Sequence, residues 1–200
     1  MSAPVGHGSV QTRVGVAGLR DLAREDIDSI VEYWHGGIAD LEFLGIDRAR
    51  LGTPANTRRR YEVALRNGDH SQPNIAYAIT LDDRMIGYTL LNQYSPDTNY
   101  SHWHIISGAR RAAGVSSSLY PCRIRMYFET SNIERLIHQT RTPNVGVNRM
   151  LDKYVPVAET RYVDNPDGVA LPGEFHMRFV KRDDIPKLFA RAKELTALQR

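Results

Sequence analysis

Cysteine is nearly absent: Cys122 stands alone among 200 residues. No internal disulfide framework can form, and a reducing, cytoplasmic setting is expected. Long apolar runs are missing too, so no membrane span is expected, and the first residues lack the charged-then-apolar layout of a secretion signal. Internal repeats and low-complexity blocks are absent. Charge of one sign is scarcely in excess, with 26 basic against 23 acidic side chains. That balance favours a small anionic ligand. Without a basic stripe interleaved with aromatics it does not support nucleic-acid binding. The densest basic cluster, Arg58-Arg59-Arg60, reads as a solvated helix face, with contact to a phosphate or an acidic partner as the rarer alternative.

What is present suits one α/β domain with a sizeable core, since 42% of the residues are hydrophobic. Residues 1–12, rich in Gly, Ser and Pro, are expected to be a disordered segment, and residues 13–200 the domain. Val14 to Leu22 reads as a strand. Ile27, Ile30, Val31 and Trp34 recur at helical spacing until Gly36-Gly37 ends the run. A second helix is expected from about Thr53 to Arg66, with a short helix or loop over 38–52 before it. Asn74–Leu81 and Arg84–Leu91 form a hairpin about Asp82-Asp83, and Gly87 marks a bulge or a close backbone approach. A third run, from Tyr100, leads to Ile106, Ser107 and Gly108.

The stretch that follows carries the strongest signal. Arg111, Ala112, Ala113, Gly114, Val115, Ser116 and Ser117 are a basic side chain, small residues, a glycine and hydroxyls at the opening of a helix. A helix N-terminus offers amides without intrahelical partners and the positive end of the dipole, so this turn reads as an anion cradle. Arg111-x-x-Gly114-x-Ser116 resembles the acyl-CoA diphosphate loop of the GNAT superfamily of N-acetyltransferases. It departs from that pattern in Ser116, where glycine or alanine is usual, and in Ala112, where a glycine is common. Three strands precede the loop, as in that superfamily. A Rossmann domain would place its glycine loop after the first strand.

Further along, Leu119, Cys122 and Met126 mark a buried helical face interrupted by Pro121, which predicts a kink or a later helix start. Cys122 on that face reads as core packing, not as a nucleophile. Ile133–His138 reads as a fifth strand. Asn144 then opens a short helix and Lys153 follows nine residues on, which resembles the second superfamily signature. The resemblance implies a contact from Asn144 to the pantetheine arm; an ordinary N-cap is the equal alternative. Leu151 stands where relatives often carry a tyrosine that protonates the departing thiolate, and Tyr154 is the candidate replacement. Strands over 155–163 and 174–180 flank a turn-rich connection, and a helix at about 184–199 closes the chain. Its apolar stripe fits packing on the domain or a homodimer contact.

The resemblance implies the GNAT fold, a mixed and mostly antiparallel sheet of about six or seven strands flanked by helices. It implies transfer of an acetyl group from acetyl-CoA to a primary amine of a small molecule, peptide or protein, in a ternary complex. A longer acyl thioester, or a non-catalytic acyl-CoA-binding regulator, are the alternatives. Strand alternation sets His102 and His104 on one face with Ile106, whose backbone the resemblance pairs with the cofactor arm. Imidazole titrates near neutrality, so these two are the candidate bases, with partly buried structural histidines as the plainer reading. No third and fourth ligand is spaced to make them a zinc site, and no metal is expected. The acceptor pocket falls to residues 38–52, where Glu42 and Asp47 are candidate contacts, and to the loop over 164–173.

Overall fold

Tyr77, Ile79 and Leu81 pack into one core while Ala76 and Ala78, alternating with them, pack into another. This alternation builds a sheet covered on both faces. The computed structural model describes residues 6–37, 39–66, 74–106, 114–166 and 168–198. Its strands are β1 (Gly6–Thr12), β2 (Gly15–Asp21), β3 (Asn74–Leu81), β4 (Arg84–Ser95), β5 (Thr98–Ile105), β6 (Arg135–Arg141), β7 (Glu159–Val163) and β8 (Gly173–Lys181). They form one eight-stranded sheet in the order β1-β2-β3-β4-β5-β6-β8-β7. Every neighbouring pair is antiparallel except β5 and β6.

The eighth strand corrects the expectation of six or seven. Residues 6–12 form β1 on the edge of β2, in register from Gly6↔Arg20 to Thr12↔Gly15. β1 is largely exposed and mostly polar, so backbone pairing to an open edge, not an apolar pattern, holds it. Residues 1–5 lie outside the described residues.

Helices α1 (Asp26–His35), α2 (Leu41–Leu44), α3 (Arg48–Leu51) and α4 (Pro54–Arg66) cover one face. Helices α5 (Val115–Thr130), α6 (Val145–Leu151) and α7 (Ile185–Ala197) cover the other. The region over 38–52 thus resolves into two single-turn helices, each opened by an aspartate: Asp40 accepts the Phe43 amide and Asp47 the Ala49 amide. Gly87 makes the expected close approach, since a Cβ there would sit 2.2 Å from the His104 carbonyl oxygen. None of the described helices is long and apolar enough to cross a membrane.

The feature that positions the site is where β5 and β6 part. Their parallel pairing covers only Thr98↔Arg135, Asn99↔Leu136 and Tyr100↔Ile137. β5 then continues to Ile105 on the edge of β4, and β6 to Arg141 on the edge of β8. Each strand is held by its outer neighbour, so a wedge opens between them, and α5 begins shortly after β5 ends.

Candidate functional site

At the head of α5, Gly114 adopts φ +80°, ψ −2°, a left-handed conformation that suits glycine. The first helical rung is the Ser118 amide donating to the Gly114 carbonyl at 3.0 Å. The amides of Val115, Ser116 and Ser117 therefore precede the ladder and converge at the helix end. A Cβ added at Gly114 would meet no heavy atom of the described residues within 4 Å, so among them open space fronts this turn. An anion fits that arrangement. Ser107, Arg111, Ala112 and Ala113, the rest of the expected cradle, lie outside the described residues.

α5 begins at Val115 and continues past Pro121, so the helix does not start late. Proline has no N–H for the carbonyl four residues back, which belongs to Ser117. The Tyr154 hydroxyl donates to that carbonyl at 2.8 Å, and its ring stacks on Tyr120 with centroids 4.8 Å apart. Tyr154, the expected proton donor to the thiolate, has its proton committed to this bond, and burial raises its pKa. Its task is to satisfy the carbonyl that Pro121 leaves open. Tyr154→Phe should therefore cost about 1–2 kcal/mol of stability in denaturant melts. The same change in a Pro121→Ala background should cost much less, because the new amide takes over. Equal losses in both backgrounds would refute the assignment.

β5 supplies the two histidines, both on the face covered by α1 and α4. His104 is enclosed by aromatic rings: Trp34 edge-on at 4.8 Å, Tyr88 stacked at 5.2 Å and Tyr33 at 5.6 Å. The Tyr33 hydroxyl is 3.3 Å from His104 Nδ1. With Nδ1–H donating to that oxygen, Nε2 carries the lone pair that takes up a proton. Tyr88 is itself fixed by the Trp34 indole N–H at 2.7 Å, which locks the rings. Sequence reasoning did not single out Tyr33 or Tyr88, since a tyrosine in a helix or strand carries no local sign of the ring it will meet.

His102 lies two residues earlier, beside Tyr100. Desolvation pushes its pKa down to about 4. It is neutral at pH 7 and a weak base. An unfolded histidine takes a proton below about pH 6.5. Between that pH and about 4 the unfolded chain binds more protons, so stability falls as the pH drops through this window. His138, whose pKa burial also holds well below the usual histidine value, adds in the same direction. Thermal melts from pH 7 to 4.5 should show Tm falling, and His102→Asn should flatten the fall; an unchanged slope would contradict the assignment.

Ile106 differs from expectation. Its amide donates to the Ile86 carbonyl of β4 at 2.8 Å. Amide direction alternates along an antiparallel strand, so the amide of Trp103 turns toward the wedge instead. Asn144 caps α6, its side chain accepting the Val147 amide at 3.3 Å. Leu151 is fully buried in the core. Cys122 is buried and burial raises its pKa, which keeps the thiolate scarce. It borders a cleft of about 560 Å³ between β1, α5 and α7, away from both histidines.

On the α1–α4 face the two segments expected to shape the acceptor pocket bind each other. Ile46 bridges Ala170, the Asp47 amide donates to Val169 at 2.7 Å, and the Leu171 amide to Gly45 at 2.8 Å. Arg50 reaches the Ala170 and Pro166 carbonyls at 3.3 and 3.1 Å. Asp47 is spent on capping α3, whereas Glu42 remains exposed.

On the opposite face, where β5 and β6 part, Trp103, Tyr120, Arg123 and His138 cluster. The Tyr120 hydroxyl and His138 Nε2 are 2.8 Å apart, and the Arg123 guanidinium lies 4.0 Å from the Trp103 ring centroid. Sequence reasoning missed this group; a helical arginine gives no sign that it is buried.

No protein-family model matches the chain, and no curated protein matches it by sequence. Solved structures do match. RimJ of Mycobacterium smegmatis, in complex with a CoA-disulfide, is 15% identical, with 96% of this chain and 94% of that one covered and a TM-score of 0.72. RimL, a ribosomal L7/L12 α-N-protein acetyltransferase in complex with coenzyme A, is 13% identical over 88% of this chain and 99% of that one, with a TM-score of 0.69. The aminoglycoside acetyltransferase AAC(6′)-Ib, in complex with coenzyme A, is 14% identical over 86% and 98%, with a TM-score of 0.64. The chain has the fold of the GNAT N-acetyltransferases.

Proposed function

We propose that the chain is an N-acetyltransferase that moves an acetyl group from acetyl-CoA to a primary amine by direct attack in a ternary complex. The observation that supports this most is the juxtaposition of an open helix N-terminus at Gly114 with the wedge between β5 and β6. The first suits a diphosphate. The second offers the β5 backbone to an extended arm, as an added strand would use it. The proteins of like fold, which bind coenzyme A, support the same reading.

On this reading the diphosphate lies on the amides of Val115, Ser116 and Ser117, with Ser107, Arg111, Ala112 and Ala113 completing the cradle. The arm runs along β5 past Ile105, toward Asn144. The amine enters from the α1–α4 face beneath the paired segments around Ile46 and Ala170. His104 Nε2 accepts the ammonium proton, directly or through a water, and His102 is too weakly basic to share that task. The amine nitrogen attacks the thioester carbon, the carbon–sulfur bond breaks and the thiol leaves. The thioester is already reactive, so holding the reactants in line supplies much of the rate and no metal is required. The likeness to enzymes acting on a protein N-terminus and on an aminoglycoside leaves the acceptor as a small molecule, peptide or protein, in the cytoplasm.

The test is thermal shift with acetyl-CoA, followed by release of free thiol in the presence of a pool of primary amines. A rise in Tm and amine-dependent thiol release are expected. No binding to acetyl-CoA, or binding without release for any amine, would overturn the proposal.

A further inference from the structure

Arg123 is a buried charge that no acid pairs among the described residues. It is 1% exposed, and its Nε and Nη2 atoms meet no hydrogen-bond acceptor. Its guanidinium lies over Trp103 and 5.4 Å from the Tyr120 ring centroid. Contact with ring faces returns less than burying an unpaired cation costs. Arg178, equally buried, shows the contrast. Its Nη2 is 2.6 Å from the Asp152 carboxylate, and its Nη1 reaches Thr140 and Asn148. Among the described residues no carboxylate pairs with Arg123, and residues 107–113, which join β5 to α5, contain no acid.

A second donor beside it is also unpartnered. His138 is fully buried, and its Nδ1 has no hydrogen-bond partner. With the Tyr120 hydroxyl donating to Nε2, the neutral ring carries its proton on Nδ1. His138 is the first residue of β6 beyond the last pair with β5, and Trp103 follows that same pair on β5. Their rings meet edge to face with centroids 5.8 Å apart. An unpartnered guanidinium and, in that tautomer, an unpartnered ring N–H therefore stand at the apex of the wedge. An anionic acceptor suits the buried cation best, and among the described residues none is supplied.

We propose that the apex of the wedge is an anion-selective acyl pocket, where Arg123 and His138 hold the terminal carboxylate of a dicarboxylic acyl thioester. Such a donor is taken in preference to a neutral chain of the same length. This rests on the reading of the wedge as an acyl-CoA site. The transfer is balanced as for acetyl: the nitrogen–carbon bond forms, the carbon–sulfur bond breaks, the thiol leaves with the proton the amine gives up, and the distal carboxylate is unchanged.

The experiment is calorimetric titration of the wild type and Arg123→Met with coenzyme A, butyryl-CoA and succinyl-CoA. The wild type should bind succinyl-CoA roughly 10-fold or more tighter than butyryl-CoA. Arg123→Met should lose that preference while keeping its affinity for coenzyme A within about twofold. It should melt no lower than the wild type, because an apolar side chain of similar volume replaces an unpaired charge. If Arg123→Met fails to fold, the wild-type comparison alone decides. Butyryl-CoA bound as tightly as succinyl-CoA, or a preference that survives in Arg123→Met, would overturn the proposal while coenzyme A binding stands. Failure of coenzyme A itself to bind would overturn the acyl-CoA reading and this inference together.

Discussion

Replacing Gly114 with valine is expected to weaken coenzyme A binding by a factor of about 100 or more, roughly 3 kcal/mol, in a protein that still folds. Two effects act in the same direction. A β-branched residue at φ +80° is strained by about 1–2 kcal/mol, and relaxing that strain rotates the following amides away from their common focus. Its side chain also projects into the open space before the helix, which the diphosphate would fill. Charge-assisted hydrogen bonds contribute about 1.5–3 kcal/mol each, so disturbing two of them accounts for the loss. Because a Cβ there meets no atom of the described residues, the fold itself bears chiefly the backbone strain. Gly114→Ala separates the two effects, since it adds the strain with little bulk. Titration of both variants with coenzyme A, beside their melting curves, checks the prediction. Wild-type affinity in Gly114→Val would remove the cradle from the account.

The second large effect is expected at His104. His104→Ala should lower turnover about 100-fold, within the range for loss of a positioned base, and leave coenzyme A affinity unchanged. Trp34, Tyr88 and Tyr33 leave the ring little freedom, and the Tyr33 hydroxyl orients its Nδ1. His102→Asn serves as the internal control. A group whose pKa lies at about 4 takes up an ammonium proton poorly, so its loss should change turnover by less than about threefold. Steady-state kinetics with an identified amine distinguishes the two. Equal effects at both positions, or none at His104, would reject His104 as the base.

Much of the scaffold was legible because period and punctuation coincide. The hairpin about Asp82-Asp83, the helix ended by Gly36 and the close approach at Gly87 each depend on local chemistry that single residues declare. β1 was not legible, since an edge strand held by backbone pairing needs no apolar pattern. Pro121 was read correctly as an obstacle, but its remedy, the Tyr154 hydroxyl, comes from another helix's far end and has no local signature. The same limit applied at the site. His102 and His104 share a face because strands alternate, yet their difference comes from distant neighbours: the desolvation of one, and the α1 aromatics around the other. Arg123 was invisible for the converse reason, as burial of a charge runs against every compositional expectation.

The most direct test is a crystal structure with coenzyme A bound. The account predicts the diphosphate within hydrogen-bonding distance of the amides at 115–117 and the pantetheine arm between β5 and β6. Coenzyme A found elsewhere, for instance in the cleft that Cys122 borders between β1, α5 and α7, would contradict it.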